Sequence, residues 1–273
     1  MDDADIKDLV RSRYGSIAAA SSACCAPTSA CCSPEAEKAA RIGYTEAELS
    51  AVPDGANLGL GCGNPQAIAA LRPGEVLIDL GSGAGFDCFL AAKQVGAGGR
   101  VIGVDMTPDM VTKARQNARR VAARNVEFRL GEIEHLPVAD ASVDVILSNC
   151  VINLSPDKGA VFRDAFRVLR AGGRLAIADV VATSRMPEAL ANDLAALTGC
   201  IAGAANLETV RELLGAAGFQ DIQVELKPES RAFIRDCMPG AEDYVQSATI
   251  AARRPGGAAA CCGPSCCQGG AAA

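Results

Sequence analysis

The 273 residues carry 26 basic and 32 acidic side chains, a formal charge of -6, and 13 cysteines against a single histidine. Neither sign of charge is gathered into a long block and no apolar run reaches the length of a bilayer, which argues against nucleic acid or membrane as the main partner. The acidic start Met1, Asp2, Asp3, Ala4, Asp5 replaces a basic leader, so a cytoplasmic location is expected. In that compartment an odd set of cysteines is a set of thiols rather than a disulfide framework.

Ile6, Leu9, Val10 and Tyr14 fall at helical spacing and predict an amphipathic helix stopped at Gly15. Residues 16–34 then turn small and polar around Cys24, Cys25, Cys31 and Cys32, and read as a mobile arm. Residues 44–49 suit another short helix. Residues 54–65, D-G-A-N-L-G-L-G-C-G-N-P, form a glycine-rich loop centred on Cys62. So many glycines make either a plain turn or a backbone shaped around a ligand.

The stretch V-L-I-D-L-G-S-G-A-G-F (76–86) organises the rest of the chain. Its apolar start suits a strand buried on both faces, as in a parallel sheet. Gly81, Gly83 and Gly85 let the backbone turn sharply into a helix whose free N–H groups face a ligand. The dinucleotide fingerprint G-x-G-x-x-G would need its third glycine at Phe86, so the tighter spacing suits a smaller nucleoside. Asp79 sits in this strand and Asp105 ends the next apolar run, where a carboxylate can accept hydrogen bonds from ribose hydroxyls. Thr107, Pro108 and Asp109 open a helix to about Arg120. Residues 126–130 and 143–147 are the third and fourth strands; Glu132 and Ile133 follow the third, and Asn149 and Cys150 lie past the fourth, at the mouth of the crevice.

Ser155 and Pro156 are expected to cap the next helix, Gly172 and Gly173 to end it, and residues 174–179 to form the fifth strand. Residues 187–197 and 207–217 read as helices around the small-residue stretch holding Cys200. Residues 219–226 and 244–251 suit antiparallel closing strands. From Pro255 onward the chain is Gly, Ala and paired cysteines (Cys261, Cys262, Cys266, Cys267) and cannot support a core. The expected fold class is α/β: a doubly wound, mostly parallel sheet (67–182), preceded by helix, arm and loop (1–66) and followed by a smaller C-terminal α+β lobe (183–254) and a disordered tail (255–273).

Residues 74–179 resemble the S-adenosylmethionine-dependent methyltransferases with a doubly wound sheet. The resemblance narrows to the arsenite methyltransferases through G-L-G-C-G-N-P (59–65), D-L-G-S-G-A-G-F-D-C (79–88), G-V-D-M-T (103–107), G-E-I-E-H-L-P (131–137), S-N-C-V-I-N-L-S-P-D-K (148–158) and A-L-T-G-C-I-A-G-A (196–204). It implies a cofactor site at Asp79, Gly81, Ser82, Gly83, Gly85, Asp105, Met106, Glu132, Ile133 and Asn149. It implies Cys62, Cys150 and Cys200 as the thiolates that hold trivalent arsenic, with an arm cysteine, Cys31 or Cys32, as a disulfide relay. Cys32 is taken as that relay.

The implied reaction needs S-adenosylmethionine and a thiol reductant such as thioredoxin or glutathione, with arsenite and methylated arsenicals as substrates, and no nucleic acid, membrane or second subunit. Soft thiolates suit a soft electrophile, and one histidine excludes a histidine-rich metal site. Cys88 reads as core packing and Cys237 carries no assignment. Two alternatives remain beside this one: a methyltransferase for a quinone or sterol, which leaves three cysteines unexplained, and a thiol-rich metalloid binder that no longer turns over. The doublet spacings, C-C-x5-C-C and C-C-x3-C-C, do not match the C-x2-C pairs of structural zinc.

Overall fold

A computed structural model describes residues 2–20 and 35–256 of the chain. In chain order it contains α1 (Asp3–Ala19), α2 (Glu35–Arg41), α3 (Glu46–Ser50), α4 (Gln66–Ala69), β1 (Val76–Leu80), α5 (Phe86–Val95), β2 (Arg100–Asp105), α6 (Pro108–Arg120), β3 (Val126–Leu130) and β4 (Val143–Asn149). Next come α7 (Lys158–Val168), β5 (Leu169–Ala182), α8 (Glu188–Ala191), α9 (Leu194–Thr198), α10 (Leu207–Ala217), β6 (Gln220–Lys227), α11 (Ser230–Cys237) and β7 (Val245–Arg253). The seven strands form one sheet in the order β3-β2-β1-β4-β5-β7-β6. β1 to β5 pair in parallel, and β7 runs antiparallel to both β5 and β6.

The continuous apolar runs of the inner strands follow from burial on both faces. Ile78, Ile102 and Ile146 point to one side, where Val161, Phe162 and Val168 of α7 and Val210 and Leu214 of α10 cover them. Leu77, Val101 and Val145 point to the other, against Phe89, Ala91 and Val95 of α5 and Val111 and Ala114 of α6. Each such side chain contributes on the order of 1.5–3 kcal/mol over its exposed state. The strand order reverses between β1 and β4, so both strands deliver their carboxyl ends to one crevice.

Several local expectations change. α1 begins with an Asp2–Asp5 capping box and runs through Gly15 to Ala19. Gly15 serves close packing rather than termination, because a Cβ there would lie 3.1 Å from the Asp109 carboxylate at the start of α6. The predicted helix over 187–197 breaks at Asn192, and the Asp193 carboxylate starts α9 by accepting the Ala196 N–H at 2.7 Å. Asp157, not Ser155, caps α7. That helix stops at Val168, so Gly172 lies within β5, where its N–H bonds the carbonyl of Arg254 at 3.0 Å. α11 was not anticipated; it seats Ile234 in the core beside β7. No described helix is long and apolar enough to cross a membrane.

Candidate active site

At the carboxyl ends of β1, β2 and β4 lies a cavity lined by Asp79, Gly81, Ser82, Gly83, Asp105 and Met106, with Ile133 and Asn149 opposite. The turn after β1 carries Gly81 at φ +65°, and a Cβ there would collide with Val151. The Asp105 carboxylate accepts the Gly83 N–H at 2.9 Å and the Thr107 N–H at 2.8 Å, fixing the glycine turn against β2. Burial raises the carboxyl of Asp105, and that of Asp79 well above the usual range, with the Asp87 charge adding to the latter. Ser82 Oγ is buried in this wall with no hydrogen-bond partner. Two desolvated carboxylates and an orphaned hydroxyl form a wall that fits a cationic, hydroxyl-bearing nucleoside such as S-adenosylmethionine.

Two expected cofactor residues lie elsewhere. Gly85 is absent from the lining: a Cβ there would meet Phe128 at 2.7 Å and Phe89 at 2.8 Å, so it lets the start of α5 pack on β3. Glu132 turns outward to α1, accepting from Lys7 Nζ at 2.7 Å and pairing with Arg11 at 3.4 Å; Glu134 lines the cavity instead. α1 forms part of the enclosure through Lys7, Val10 and Tyr14, a role its sequence did not announce. Cys88 does more than fill space, since its thiol donates to Asp79 at 3.3 Å.

Beyond the cavity wall the structure gathers Cys62, Cys150 and Cys200, from the glycine loop, the end of β4 and the turn after α9. All three are buried. The Cys62 thiol donates to the Ala178 carbonyl at 3.6 Å. Burial pushes Cys62 up to about 11, while the neighbouring thiol (Cys150 for Cys200, Cys62 for Cys150) together with burial holds Cys200 and Cys150 well above the ordinary thiol range. The Cys200 thiol also lies 2.7 Å from the Cys150 carbonyl. Both Cys150 (φ +58°) and Cys200 (φ +63°) adopt left-handed backbone conformations, which cost roughly 1–3 kcal/mol each for such residues and cluster at functional sites.

Asn149 joins the two regions. Its Oδ1 accepts the Cys62 N–H at 3.1 Å, while its Nδ2 donates to the Gly63 carbonyl at 2.9 Å, the Tyr44 hydroxyl at 3.0 Å and Asp87 at 3.2 Å. Tyr44 and Gln66 in turn donate to Asp87 at 2.7 and 2.9 Å. The glycine loop that carries Cys62 is thereby pinned to the start of α5, whose N-terminus faces the cavity.

Sequence reasoning passed over Asp179. One of its carboxylate oxygens and the sulfurs of Cys62 and Cys150 all lie within 4.8 Å of one another. The carboxylate accepts from Ile152 N (3.0 Å), Asn153 Nδ2 (2.9 Å) and Val180 N (2.8 Å), and burial raises it to about 6. A usable signal was present, since Asp179 follows an apolar strand run just as Asp79 and Asp105 do. The half-buried Lys158 ammonium favours the charged form of Asp179. Cys24, Cys25, Cys31, Cys32 and the paired cysteines after Pro255 lie outside the described residues.

The profile of a family described as "Methyltransferase domain" matches residues 71–245. An arsenite methyltransferase of Halobacterium salinarum is 51% identical over 265 residues, covering 93% of this chain and 68% of that protein. One from Aquipseudomonas alcaligenes is 39% identical, covering 72% of this chain and 64% of its own length. Among solved structures, the arsenic(III) S-adenosylmethionine methyltransferase of Chlamydomonas reinhardtii superposes with a TM-score of 0.59 at 34% identity, covering 81% of this chain and 73% of that one. A phosphoethanolamine N-methyltransferase of Haemonchus contortus, 21% identical with a TM-score of 0.60 over 82% of this chain and 60% of that one, shares the fold. With its sheet, its nucleoside cavity and these relatives, the chain belongs to the arsenite methyltransferases, a family of S-adenosylmethionine-dependent enzymes.

Proposed function

We propose that this chain methylates trivalent arsenic held by Cys62, Cys150 and Cys200. The observation that carries the reading is the convergence of three buried thiols from three distant segments, with Cys150 also lining the nucleoside cavity. Neutral thiols suit loading: As(OH)3 and three S–H groups give As(SR)3 and three waters, with no net proton released. The elevated thiol pKa values are therefore no obstacle to capture. Three sulfurs leave the arsenic lone pair free, so methyl transfer needs no general base.

S-adenosylmethionine supplies an electrophilic methyl group on a sulfonium. Asp79, Asp105 and Ser82 would hold the cofactor, while the Asn149 bonds fix the Cys62 loop relative to that wall. Orientation of this kind contributes up to about 7–11 kcal/mol of barrier reduction. Methyl transfer takes arsenic to the pentavalent state. Two thiols return it to the trivalent state by becoming a disulfide, and an external thiol reductant such as thioredoxin or glutathione resets the protein. Cys32 is the proposed relay to that disulfide, in a monomeric enzyme acting on arsenite and methylated arsenicals.

The test is incubation with arsenite, S-adenosylmethionine and a dithiol, with arsenic speciation by mass spectrometry. Methylated arsenicals should appear in proportion to S-adenosylhomocysteine. Serine at both Cys31 and Cys32 should stall arsenite turnover while a trivalent methylated substrate is still processed. Cofactor consumption that does not depend on arsenite would remove the assignment, and full arsenite turnover by the arm variant would remove the relay.

A further inference from the structure

Arsenic in a thiolate site takes three sulfurs and keeps a lone pair, so it has no use for the carboxylate that stands among these sulfurs. A carboxylate oxygen of Asp179 nevertheless lies within 4.8 Å of the sulfurs of both Cys62 and Cys150, with all three residues buried. An ionised carboxylate offers about four acceptor positions, and Ile152, Asn153 and Val180 use three. Oδ1 accepts from Asn153 and Val180 and Oδ2 from Ile152, which leaves one position on Oδ2.

We propose that Cys62, Cys150 and Asp179 form a second binding mode of this pocket: a site for a thiophilic divalent cation of the Zn2+ or Cd2+ type, exclusive of arsenite. A tetrahedral centre with Zn–S of about 2.3 Å and Zn–O of about 2.0–2.2 Å separates neighbouring ligand atoms by roughly 3.5–3.8 Å. The observed triangle, with its atoms within 4.8 Å of one another, thus needs to contract by at most about 1.0–1.3 Å. Water supplies the fourth position. Charge also fits: a divalent cation with two thiolates and one carboxylate carries net -1, and the Lys158 ammonium that acts on Asp179 offsets it. Binding displaces the two thiol protons to solvent and changes no oxidation state.

Both ligands need Cys62 and Cys150, so each excludes the other, and the cation acts as a competitive inhibitor of methylation. The proposal rests on the geometry of the pocket and stands whether or not arsenite is the substrate.

The experiment uses the full chain with the eight paired cysteines and the exposed Cys237 changed to serine (positions 24, 25, 31, 32, 237, 261, 262, 266 and 267), so that no exposed thiol competes with the pocket for metal. Cd2+ is titrated by its sulfur charge-transfer absorption, arsenite is added in competition, and the cadmium coordination shell is read by X-ray absorption. One Cd2+ per chain with a mixed sulfur and oxygen shell, displaced by arsenite, is expected. Asp179→Asn should lower the ratio of Cd2+ to arsenite affinity at least tenfold, and Cys62→Ser should abolish Cd2+ binding. An all-sulfur shell, an unchanged affinity ratio in Asp179→Asn, or Cd2+ bound together with arsenite overturns the proposal. Should Asp179→Asn fail to fold, the shell and competition in the parent chain decide. Cd2+ binding with no arsenite binding would refute the arsenic reading alone, and the reverse would refute this one alone.

Discussion

Serine at Cys150 or at Cys200 is expected to abolish arsenite binding, lowering affinity by more than the roughly 10–100-fold typical of losing an outer-shell partner. A hydroxyl keeps the approximate shape of the thiol but is a hard ligand that does not hold trivalent arsenic. Serine places no more bulk at Cβ than cysteine does, so the left-handed backbone of both positions (φ +58° and +63°) is expected to persist and the loss to isolate the sulfur rather than the turn. Cys88→Ser is the control: a serine hydroxyl can still donate to Asp79, so arsenite affinity should be kept and only stability or cofactor affinity should shift, within a few-fold. Isothermal titration of arsenite into the three variants settles the assignment. Retained binding in the Cys150 or Cys200 variant, or its loss in Cys88→Ser alone, would mean that a different set of thiols holds arsenic.

Replacing Asp105 by alanine should raise the dissociation constant for S-adenosylmethionine about 10- to 150-fold, because charge-assisted hydrogen bonds to a carboxylate contribute about 1.5–3 kcal/mol. The same variant frees the Gly83 and Thr107 N–H groups, so the glycine turn loosens along with the contact. A pH signature accompanies it. Asp79, Asp87 and Asp105 are all raised, chiefly by burial. Cofactor affinity should therefore fall as pH drops from neutral into their raised range, where protonation removes the charge facing the cofactor.

The empty protein shows the opposite sign. Its buried carboxyls hold protons that the unfolded chain has lost, so their share of stability is greatest at low pH and disappears as pH rises through the raised pKa values. Cofactor titrations and melting curves between pH 5 and 8 measure both trends. Unchanged cofactor affinity in Asp105→Ala would dissolve the nucleoside assignment.

How far the sequence could be read depended on whether a residue acts through local pattern or through distant packing. The strands were legible because burial on both faces writes continuous apolar runs, and β1 and β3 match their expected spans. The cysteine trio was legible only through resemblance, since nothing in the spacing of residues 62, 150 and 200 announces that they meet. Gly85 and Glu132 were misplaced for a shared reason: both follow a strand at a position where ligand contact is plausible. A neighbour outside the local pattern, Phe128 for one and Lys7 for the other, decided their direction. Asp179 was missed because nothing near it in the chain shows that Cys62 and Cys150, from two other segments, close on its carboxylate.

The way the chain enters and leaves the segment 21–34 has its own consequence. Ala18 and Ala19 at the end of α1 and Glu35 at the start of α2 line one and the same depression, and Glu35 packs on Gly59, three residues before Cys62 in the glycine loop. The proposed exchange between Cys32 and the pocket sulfurs joins two parts of one covalent chain, so it would be a first-order process, at an effective local concentration set by chain connectivity rather than by the amount of enzyme. Dilution leaves it untouched, and a soluble dithiol must outcompete a partner that cannot diffuse away.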